Sequence, residues 1–107
     1  VKGILVDPWA KSVEGIEIPE DEAASLIELR RLVKEDALDF AYLKDLRITI
    51  AVGDHSALAD PPLASFEVEG LAGPLYGRAV VLGYDARGAT VSAKLSVQAM
   101  HELVRFP

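Results

Sequence analysis

The sequence predicts an α+β domain: a mostly antiparallel sheet of about six to seven short strands, one longer helix and one short C-terminal helix. Three observations lead there. Apolar and polar residues alternate over several short stretches, which is the period of strands. Those stretches are joined by brief connections rich in Gly, Pro and Asp, so consecutive strands become antiparallel neighbours. Only two stretches, about 20–34 and about 96–104, carry helical spacing.

Taken in order, "KGILV" and "GIEI" read as two strands around "DPWAKS", where Pro8 suits the first central position of a turn. In "PEDEAASLIELRRLVKE", Leu26, Leu29 and Val33 follow helical spacing, and Ile27 and Leu32 widen the stripe. Glu20, Asp21 and Glu22 crowd its first turn, and Arg30, Arg31 and Lys34 lie near its last, the distribution that the helix dipole favours. "ALDFAYL" and "RITIAV" follow as strands joined around Lys44 and Asp45. The second places Ile48, Ile50 and Val52 on one face, the pattern of a half-buried strand.

"DHSALADPPLA" has no useful period, and Pro61 and Pro62 close it, so it reads as a surface loop. "ASFEVEG" is a strand with Ala64, Phe66 and Val68 on one face, and "LAGPLYG" a glycine-punctuated connection. "RAVVLGYDARGATVSAKL" is a hairpin whose turn, Asp85 to Gly88, suits a type I turn followed by left-handed glycine. Its outgoing strand alternates Val91, Ala93 and Leu95 with Thr90, Ser92 and Lys94. The last helix is capped by Ser96, with Val97, Met100 and Val104 facing inward.

The chain of 107 residues is the size of a single domain and can bury roughly two thirds of its unfolded surface. Without cysteine it has no disulfide framework, thiolate zinc site or cysteine nucleophile. These residues contain no apolar run of the ~18 needed to span a membrane, and no charged-then-apolar signal segment. A cytoplasmic setting is the expectation. The chain begins at Val1 rather than methionine, compatible with a start further upstream.

Net charge is −6, which disfavours direct nucleic-acid binding, since that needs neutralising cations. Residues 1–69 hold 15 acidic and 7 basic side chains, whereas residues 70–107 hold 2 and 4.

The stretch "FEVEGLAGPLYGRAVVLGYDARGATVSAKLSVQAMHELVRF" resembles the C-terminal half of small uncharacterised proteins encoded by phages, prophages and plasmids. The residues carrying the likeness are Phe66, Gly70, Pro74, Leu75, Gly77, Val81, Leu82, Gly83, Asp85, Gly88, Val104 and Phe106. The opening "KGILVDP" is similar to the start of that group as well. These are strand and turn residues, so the resemblance speaks to fold; it implies a mobile-element origin and a bacterial cytoplasm, with no activity to carry over.

Candidate chemistry is sparse. Asp54, His55 and Ser56 are consecutive, and adjacent side chains on an extended backbone diverge, so they make a poor triad. No nucleophile elbow is present. His55 and His101 are the only histidines, and no metal-ligand spacing joins them to carboxylates, so neither a metal nor another cofactor is expected. "GLAGPLYG" is not a phosphate-binding fingerprint.

The favoured expectation is a non-enzymatic protein-interaction module with an acidic face along Glu14, Glu17, Glu20, Asp21 and Glu22, where no basic residue interrupts positions 12–29. Trp9 is either a lid over the sheet or an anchor for a partner. The partner is a host protein or a second copy, and a homodimer through exposed strand edges is plausible. The alternative is a small-ligand-binding domain or modest hydrolase built on the 53–62 loop with Asp54, His55, Ser56 and Asp60.

Overall fold

A computed structural model describes residues 1–54, 58 and 63–107. The chain is α+β, as the patterning predicts. β1 (Lys2–Asp7) and β2 (Ser12–Glu17) form the first hairpin, and α1 (Glu22–Val33) follows. β3 (Leu38–Leu43) and β4 (Ile48–Gly53) form a second hairpin through a 3₁₀ turn at Lys44–Leu46. Then come β5 (Ser65–Val68), β6 (Leu75–Tyr76), β7 (Ala79–Tyr84), β8 (Thr90–Val91), α2 (Val97–Leu103) and β9 (Val104–Arg105).

The large sheet has the order β2-β1-β7-β4-β3, with β8 added at the end of β7, and every pairing in it is antiparallel. A small sheet, β6-β5-β9, packs with α2 against one face. The other face carries α1. Strand parity divides the core accordingly. Ile4, Val6, Ile48, Ile50, Ala79 and Val81 meet Phe66, Val68 and Met100 on the α2 side. Ala51, Val80 and Leu82 meet Leu29 and Val33 on the α1 side.

β4 is therefore buried on both faces rather than half-buried, because a helix covers the face that alternation alone assigned to solvent. Its Thr49 hydroxyl, the buried polar side chain among the described residues, donates to the Ala41 carbonyl at 3.4 Å.

Local chemistry sets the ends of each element. Asp21 caps α1 by accepting the Ala24 N–H at 2.9 Å, so the helix begins at Glu22 and Glu20 stands outside it. Lys34 ends it in the left-handed conformation, φ 66°, donating its N–H to the Arg30 carbonyl. On the outer side of α1, the hydrogen bond from Arg31 holds the Glu28 carboxyl below its usual value and raises the guanidinium above its own.

Ser96 caps α2 through the Ala99 N–H, as expected. The helix stops at Leu103, however. Val104 joins a strand opposite Val68, and Val97 is exposed, so Met100 alone of the three expected inward residues is fully buried. The Asp85–Gly88 turn forms with Gly88 at φ 81°. The outgoing strand is far shorter than alternation suggested: after Val91 the chain crosses to β1, where Ser92 Oγ accepts the Lys2 N–H at 2.8 Å and Ala93 N–H donates to the Lys2 carbonyl. Among the described residues, no helix is long and apolar enough to cross a membrane.

Candidate protein interface

Twelve residues of helix cannot cover a five-strand face. α1 packs on β4 and β7, and Leu38 at the start of β3 joins the same cluster, leaving Phe40 and Tyr42 and one end of the sheet open. There a groove of about 820 Å³ runs between the N-terminal half of α1 and the β7–β8 turn. Leu26 and Leu29 line the helix side, Leu82 and Thr49 come from the sheet, and Phe40, Tyr42 and Tyr84 supply aromatic surface. Tyr42 meets Tyr84 edge-on, with ring centroids 5.9 Å apart at 76°. Phe40 is 38 % exposed and Tyr42 57 %. Glu20 and Glu22 stand at the helix side of the groove and Lys44 at the β3 side.

Phe40 and Tyr42 sit opposite Ala51 and Thr49, which places both rings on the α1 face. Their strand is also an edge: among the described residues β3 pairs with β4 alone. An aromatic surface and an open backbone edge thus lie side by side.

The residues expected to bind a partner are only partly gathered. Glu20 and Glu22 reach the groove, and Asp21 is held as the helix cap beside them. Glu14 and Glu17 are both exposed but project from opposite faces of β2. Glu14 lies opposite Leu5, which packs on the α1 side, whereas Glu17 shares its parity with Val13, which packs on the other. Trp9 is at the far end of β1, roughly 17 Å along the strand at ~3.4 Å per residue.

Trp9 belongs to a compact turn. Asp7 Oδ1 accepts the N–H groups of Trp9 and Ala10, and Asp7 Oδ2 accepts from Arg78 Nε at 3.3 Å. The Arg78 guanidinium lies 5.0 Å from the Trp9 ring centre, a cation–π stack that leaves the indole half exposed.

No family model, curated protein or solved structure gives a significant match to this chain.

Of the alternative ligand site, Asp54 is placed at the end of β4 remote from the groove, and its N–H donates to the Ala37 carbonyl at 2.9 Å. His55, Ser56 and Asp60 lie outside the described residues. His101 is exposed on α2. Among the described residues, no three His, Asp or Glu side chains are gathered as metal ligands.

Sequence reasoning passed over Phe40, Tyr42 and Tyr84. The signal was present in "ALDFAYL", where both rings fall on one face of a period-two strand. What alternation cannot say is that the helix stops short of that face.

Proposed function

We propose that the chain is a non-enzymatic protein-interaction module, a mobile-element accessory protein acting in a bacterial cytoplasm, whose partner surface is the half-open face between α1 and β3. The observation carrying this reading is the exposed pair Phe40 and Tyr42 beside an apolar groove edged by Glu20 and Glu22. Aromatic side chains are favoured anchors at interfaces, and a carboxylate rim speeds and orients encounter with a cationic partner. The C-terminal strand-and-turn motif supports the mobile-element origin.

The test is affinity capture at low and high salt with the wild-type chain, Glu20→Lys/Glu22→Lys, Tyr42→Lys, and Glu14→Lys/Glu17→Lys for comparison. One protein should be retained at low salt and lost with each of the first two variants. Equal recovery by the wild type and both of those variants would overturn the reading.

A further inference from the structure

The hydrogen-bonding parity of β3 is fixed by one contact. The Ala37 carbonyl accepts from Asp54, so it points toward β4. In an antiparallel pair this orientation alternates, so Asp39, Ala41 and Leu43 exchange bonds with β4 while the N–H and C=O of Leu38, Phe40 and Tyr42 point away from it. The side chains of those same three residues lie on the α1 face. The outward backbone and the aromatic surface therefore belong to the same residues.

We propose, resting on the interaction-module reading above, that β3 takes its partner by strand addition, and that the bound segment is extended, with apolar side chains alternating with lysine or arginine. A strand laid against β3 places alternate side chains beside Phe40 and Tyr42 over the groove, an apolar setting. Its intervening side chains fall on the opposite face, beside Asp39. On that face β3 presents Asp39 with Ala41 and Leu43, so its carboxylate favours a cation at the intervening position beside it and disfavours an acidic residue there.

The same charges argue against a second copy as the occupant. Two chains of net charge −6 would meet edge to edge, and antiparallel pairing about Phe40 would bring both Asp39 carboxylates to the seam. In the free chain Asp39 Oδ1 accepts the outward Phe40 N–H at 2.9 Å, the kind of guard that keeps an edge from pairing at random. An incoming strand supplies a carbonyl in its place.

The experiment uses the whole chain and three synthetic peptides. The first alternates Lys with Val and Leu over seven residues. The second has the same side chains but N-methyl groups on the alternate amides that would face β3. The third replaces Lys by Glu. Binding is read by anisotropy of a labelled peptide, and strand addition by NMR amide exchange at Leu38 and Tyr42. The first peptide should bind and slow exchange at both amides at least tenfold. N-methylation should weaken binding at least tenfold, and the Glu peptide should not bind.

Equal binding of the first two peptides without amide protection would overturn strand addition while leaving the interaction module intact. Absence of binding by the Lys peptide would overturn the proposal, whatever capture experiments recover. Protection of the two amides that grows with protein concentration alone would overturn it in favour of self-association.

Discussion

Gly83 is where the fold leaves least room, and Gly83→Ala measures how little. It lies in β7 between Ile48 of β4 and Val91 of β8, and the chain passes over it at Ser92. A Cβ there would stand 2.5 Å from the Ser92 carbonyl oxygen, 3.1 Å from its carbon and 3.3 Å from Ala93 Cα. An ordinary C···O contact is about 3.3 Å, so residues 92 and 93 must retreat by about 0.8 Å. Both are tied to Lys2 by hydrogen bonds of 2.8 and 3.0 Å, which that shift stretches. Overpacking costs about 1–3 kcal/mol and the two bonds, stretched rather than lost, about 1 kcal/mol between them, so the expected loss is about 2–4 kcal/mol. For a domain of this size that is a fall in Tm of about 10–25 °C. Urea unfolding followed by circular dichroism measures it, with Gly73→Ala, which meets nothing within 4 Å, as the control. A Gly83→Ala chain within about 0.5 kcal/mol of wild type would refute the packing argument.

Three further outcomes are expected. Phe66→Ala removes a fully buried ring that packs beside Phe106, centroids 6.4 Å apart, and should cost about 3–5 kcal/mol in the same urea assay. Lys34→Gly relieves a left-handed non-glycine residue at the end of α1 and should raise stability by about 0.5–1 kcal/mol; a loss would show that the lysine side chain contributes more than its backbone costs. Arg78→Ala uncovers the Trp9 ring and should red-shift its emission and increase quenching by acrylamide, whereas unchanged fluorescence would mean that the stack does not persist in solution.

Much of the fold was legible because its rules are local. The β1–β2 and β3–β4 hairpins, the Ser96 cap and the left-handed Gly88 follow from alternation, capping and turn chemistry within a few residues. What was not legible is set by distant packing. β6 and β9 are two-residue pairings with β5, too short to have a period, and Val104 leaves its helix because Val68 offers a strand partner. The burial of both faces of β4 depends on where α1 comes to rest.

The candidate site divides the same way. Glu20 and Glu22 were visible as a charge cluster, and their meeting with Phe40 and Tyr42 rests on tertiary placement. Glu14 and Glu17, three apart on a strand, cannot share a face, a consequence of period two that a reading by charge alone overlooks.

Among the described residues, β7 is the strand that joins the two hairpins of the large sheet: β1 on one side, β4 on the other. During synthesis the ribosome delivers β7 late. Ile4 waits 77 residues for its partner Val81, about 4–15 s at ~5–20 residues per second. Through that interval the nascent chain can carry at most two separate hairpins and no large sheet. A fragment ending before Ala79 should accordingly show no cooperative unfolding transition, whereas one extended through Tyr84 contains all of β7 and can join the two halves.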